Sequence, residues 1–132
     1  MLPVSVLSRR ADVVEVIGAA LRMKAGGAGH RTIAGVLGRP ATTVRGWLRR
    51  FAVRAALVAG FFTTQLVALA DDPVLVLPVP AASVFADAVA AVIAVPMAVR
   101  ARFPMVAAPI WQVASAVSRG SLMAPGWPPA VR

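Results

Sequence analysis

Two apolar stripes of helical period meet at a single glycine within residues 30–51, and this junction limits the fold more than any other feature. Ile33, Ala34 and Leu37 sit at i, i+1 and i+4, which is one narrow face of a short helix. Gly38 follows at once, where a tight turn needs a residue without Cβ. Pro40 fixes φ at a position tolerated in a helix's first turn. Val44, Trp47, Leu48 and Phe51 continue at i, i+3, i+4 and i+7, the stripe of a second helix. On this pattern Trp47 reads as a core residue.

Upstream, Val13, Val14, Ile17, Ala20 and Leu21 recur at helical spacing, predicting a helix from Arg9 to about Lys24. Asp12 and Glu15 lie near its start, where the helix dipole favours negative charge. The run Ala25-Gly-Gly-Ala-Gly29 ends it, because glycine readily takes the left-handed conformation of a C-cap. His30 then reads as a cap or surface residue. Residues 9–54 are thus expected to form a trihelical unit.

Charge is concentrated in the same region. Residues 1–54 hold ten of the fourteen Lys and Arg, with only Asp12 and Glu15 against them. They therefore carry +8 of the formal net charge of +9. A field so concentrated attracts phosphate-rich partners and speeds their encounter, and the asymmetry gives the two parts of this basic protein different tasks.

The run Thr32-Ile33-Ala34, Leu37-Gly38-Arg39-Pro40, Thr42-Thr43-Val44-Arg45 and Trp47-Leu48-Arg49-Arg50 resembles the trihelical, homeodomain-like helix-turn-helix of transposases, resolvases and related mobile-element proteins. The resemblance covers residues 9–54. It implies an all-α fold in which the second stripe is a recognition helix for double-stranded DNA. Ala34 is the small residue where the supporting helix crosses closely. Arg39, Thr42, Thr43, Arg45, Arg49 and Arg50 avoid the Val44/Trp47/Leu48 stripe and are the candidate DNA-binding residues. Arginine grips a phosphate or a guanine with its planar fork. The same residues also fit a solvated charged face, in the case of Arg39, Arg45, Arg49 and Arg50, and helix caps, in the case of Thr42 and Thr43. Arg9 and Arg10 read as a phosphate-seeking arm or as a loose start.

Beyond residue 54 the chain is apolar. Phe51 to about Ala70 is expected to prolong the recognition helix, with Gly60 at a bend or close contact, and Asp71-Asp72-Pro73 ends it. Pro78 and Pro80 make residues 74–80 an extended linker. A second apolar helix is expected from Ala81 to Arg102, disturbed at Pro96, and a short one from Ile110 to Val117. The organisation expected is a helix-turn-helix unit over 9–54, an alanine-rich helical appendage with Pro-rich linkers over 55–119, and an irregular tail over 120–132. Trp111-Gln112 and Leu122-Met-Ala-Pro125 are similar to the ending of small actinobacterial proteins in which a zinc-ribbon-like segment precedes a helix-turn-helix. The cysteine segment has no counterpart in this chain, so the resemblance carries over no zinc.

The residue inventory narrows the chemistry. With no cysteine there is neither disulfide nor thiolate ligand, and a single histidine makes no multi-histidine metal site. No glutamate follows Glu15, and no serine has a nearby histidine to act as base. The expectation is a non-enzymatic binding module with no catalytic residue, metal or cofactor. The expected location is cytoplasmic, since the N-terminal order of a short apolar run followed by arginines reverses that of a signal peptide. A homo-oligomer through the apolar C-terminal helices is the expected assembly. The alternative is a small membrane protein with a basic cytoplasmic head, motivated by a mean hydropathy of +0.78. Against it, the uncharged run 55–70 is short and includes Thr63, Thr64 and Gln65, whereas a span needs about 20 mostly apolar residues. In the run 81–99 Asp87 would be costly in lipid. An alanine-rich helical hairpin accounts for the same composition.

Overall fold

The computed structural model describes residues 4–69, 83–120, 122, 127 and 128, with side chains from Val13 onward. The described residues form five helices and no strand: α1 (Val4–Ala25), α2 (His30–Leu37), α3 (Ala41–Leu69), α4 (Val84–Arg102) and α5 (Ile110–Val117). The chain is all-α. The side chains of Arg9 and Arg10, the linker expected at 74–80 and most of the tail lie outside the described residues.

Glycine sets the breaks between the first three helices. Gly27 takes φ +104°, and the Ala28 N–H reaches back to the Met23 carbonyl at 3.0 Å, closing α1. Gly38 takes φ 65°, ψ 35°, and the Arg39 N–H donates to the Ala34 carbonyl at 3.1 Å. That six-to-one bond is the Schellman arrangement, which satisfies a carbonyl the helix end would leave open. After Pro40, α3 begins at Ala41.

α3 is 29 residues long, about 43 Å at 1.5 Å per residue. It runs unbroken past residue 54, so the division expected at 54/55 falls inside one helix. The helix continues through Gly60 without a break. In the polar patch that follows, Thr64 Oγ1 donates back to the Gly60 carbonyl at 2.9 Å, which satisfies the hydroxyl inside the helix. Val44, Leu48, Phe51, Ala55, Val58, Phe62 and Leu66 form its buried stripe.

α4 starts at Val84 rather than Ala81, because Ser83 is the N-cap: its Oγ accepts the Ala86 N–H at 3.0 Å. The disturbance expected at Pro96 does not end the helix. Pro96 is fully buried, and its packing offsets a missing donor and ring clash worth about 3 kcal/mol.

α3 and α4 make the most extensive pairing in the fold. They run parallel. The Phe51 ring, three turns into α3, and the Phe85 ring, at the start of α4, meet edge-on with centroids 5.0 Å apart. At their ends Arg102 Nη1 donates to the Leu69 carbonyl at 3.0 Å. A hairpin, the arrangement expected from composition, would run antiparallel. The Arg102 contact places a cation at the negative end of α3.

One core joins everything. Ile17, Ala20 and Leu21 of α1, Ile33 and Ala34 of α2, the α3 stripe, Val89, Val92 and Val95 of α4, and Trp111 and Ala114 of α5 belong to a single buried cluster. Trp47 packs on its rim, half-buried rather than enclosed. Gly18 and Trp111 tie α1 to α5: a Cβ at Gly18 would overlap the Trp111 indole.

Candidate nucleic-acid interface

The first three turns of α3 present the candidate residues. Thr42, Arg45 and Arg49 follow at i, i+3 and i+7 and so share one face. That face is turned roughly a third of the way around the helix from the buried Val44/Leu48/Phe51 stripe that seats it, with Leu48 at the border between the two. Thr43 and Arg50, seven residues apart, occupy the neighbouring face. Arg39 stands in the turn before α3. All six side chains are exposed, and neither threonine is the first residue of α3.

Arg54 is withdrawn from this surface. It is half-buried, its Nε donates to the Arg50 carbonyl at 3.1 Å, and its Nη1 donates to the Trp127 carbonyl. Burial, and after it the charge of Arg50, holds its pKa below the usual guanidinium value. Trp127 is itself packed against Phe61, ring centroids 4.8 Å apart, and so engages the middle of α3.

Two further basic groups reach the α3 face. Lys24, in the last turn of α1, and His30, the first residue of α2, line a cleft together with Arg45 and Arg49. Spacing gives no warning of this, since three separate helices contribute. The N-terminus of α2 adds polarity: Gly29 is its N-cap and supplies no side chain to the helix's free N–H groups. Leu48, Ala52 and Phe85 complete the cleft with apolar surface.

Glu15, Arg22, Arg100 and Trp111 line a second, more open depression between α1, α4 and α5. Glu15 Oε1 is buried there without a hydrogen-bond partner, while Arg100 Nη2 is engaged with the Ala108 carbonyl at 2.7 Å. Among the described residues no three of His, Cys, Asp and Glu gather to hold a metal ion.

Compared with family models, curated proteins and solved structures, the chain matches none.

Proposed function

We propose that the chain binds double-stranded DNA through the start of α3, with α2 as the supporting helix of a helix-turn-helix, and that it does so without catalysis. The observation that carries the reading is the exposed face Thr42/Arg45/Arg49, turned roughly a third of the way around the helix from the residues that anchor it. The major groove admits one helix, and a helix seated by one stripe offers the other. Arg39, Thr43 and Arg50 flank that face. The transposase-like resemblance of residues 9–54 points the same way and suggests a transcriptional or mobile-element role in the cytoplasm. A single module buries roughly 600–1,000 Å², so tight specific binding calls for a second copy, recruited through the apolar helices.

The test is a fluorescence-anisotropy titration of a duplex pool at several salt concentrations. The double variant Arg45→Ala/Arg49→Ala should bind at least tenfold more weakly, with a salt slope shallower by about two. Equal affinity and equal slope, at unchanged helical content, would remove these arginines from the interface and this reading with them.

The membrane alternative has one observation in its favour. α3 and α4 contain windows of mean hydropathy 1.6 and 1.8, of which only 22% and 33% is buried. The parallel arrangement weighs against it. With both helices across a bilayer side by side, residues 70–82, including Asp71 and Asp72, would have to recross the hydrocarbon, where polar backbone finds no partner. Complete release of the protein by alkaline wash of membranes removes this alternative; retention supports it.

A further inference from the structure

The cleft at the meeting of α1, α2, α3 and α4 has a volume of about 250 Å³. Its lining divides in two. Lys24, Arg45 and Arg49 supply three cations and His30 an imidazole, and no acidic residue is present among them. Like charges gathered without a counter-charge raise the local potential for an anion. Beside them, Leu48, Ala52 and Phe85 supply apolar surface, the cleft's floor. The Phe85 ring is held in place by its edge-on contact with fully buried Phe51.

A bare phosphate would satisfy the cations and leave the floor wet. A neutral apolar molecule would cover the floor and leave the cations unanswered. The volume lies just under the roughly 300 Å³ at which pockets for drug-sized ligands begin, which suits a body of one or two rings. We propose that this cleft binds a small organic anion with a flat apolar body. The forks of Arg45 and Arg49 take its acid group, as guanidinium takes a carboxylate or phosphate, and the body rests on Phe85 and Leu48.

Both arginines also belong to the exposed face of α3. A bound anion therefore withdraws them from a duplex, and ligand and DNA compete. This competition rests on the DNA-binding reading; binding in the cleft does not.

The experiment is a calorimetric titration of the full chain with three probes. They are 2-naphthoate (body and charge), 2-naphthylmethanol (body alone) and inorganic phosphate (charge alone). The expected result is saturable one-to-one binding of 2-naphthoate, at least tenfold tighter than either of the others. Ala52→Leu fills the floor from an exposed helical position, and Lys24→Gln removes a rim cation. Each should weaken 2-naphthoate at least tenfold with unchanged helical content. Saturating 2-naphthoate should raise the apparent Kd for duplex at least threefold in the native chain and leave it unchanged in Ala52→Leu. No saturable binding of 2-naphthoate, equal binding of phosphate, or indifference to both substitutions overturns the cleft assignment. Duplex binding untouched by bound 2-naphthoate overturns the competition. A chain that takes 2-naphthoate and no duplex overturns the DNA reading while the cleft stands.

Discussion

Replacing Gly18 by alanine asks whether α1 and α5 fold as one body, and two opposing effects set the sign of the answer. Glycine inside a helix is about 1 kcal/mol less favourable than alanine, so propensity alone makes Gly18→Ala stabilising. The new methyl, however, would fall among the Cγ, Cδ2 and Cε2 atoms of Trp111. That ring is rigid and 3% exposed, so it cannot yield without opening the core. Overpacking of this kind costs about 1–3 kcal/mol, and overlap with a fixed ring belongs at the upper end. The net expectation is a loss of about 2 kcal/mol. Gly60→Ala is the control: it is the same substitution in a helix, at a site with no atom within 4 Å of the new Cβ, and it should stabilise by about 0.5–1 kcal/mol. Trp111→Ala alone should cost about 3–5 kcal/mol. In that background Gly18→Ala should turn stabilising, giving a coupling of about 3 kcal/mol. Urea unfolding followed by far-UV circular dichroism measures all four, provided the m-values agree. Gly18→Ala proving as stable as the native chain would refute the seating of Trp111 on α1, and with it the single body.

The remaining expectations concern the first three helices. Gly38→Ala should lose about 1–2 kcal/mol, since φ 65° is left-handed, and Gly38→Asn should lose less; equal stability of all three in thermal melts would contradict the turn. Phe51→Ala should cost about 3–5 kcal/mol because the ring is fully buried. Trp47→Ala should cost clearly less, as Trp47 is only half-buried, and the reverse order in urea titrations would place Trp47, not Phe51, at the centre.

Elements whose ends carry their own chemistry were legible in the residues. Gly38 and Pro40 mark the α2–α3 junction, and α5 spans the Ile110–Val117 expected, with Pro109 as its N-cap. The uninterrupted α3 was legible too, because its stripe continues through Leu66. Features that depend on distant partners were not. The parallel course of α3 and α4 is set by Phe51 against Phe85 and Arg102 against Leu69, pairs more than thirty residues apart in the chain. Pro96 persists in a helix because of the core around it. Arg54 reads as one more surface cation until the Trp127 carbonyl claims it. The candidate face on α3 followed from local period alone, whereas the arrival of Lys24 and His30 beside it is a tertiary event.

The unbroken course of α3 has a mechanical consequence. Arg49 and Leu66 are ends of a single stiff lever about 25 Å long, with no hinge between them. Whatever grips the far end sets the angle at which the guanidinium groups are offered. A tilt of about 10° there swings them by about 4 Å, more than the length of a hydrogen bond. If α3 enters a duplex as proposed, the greasy half of the molecule aims the charged half.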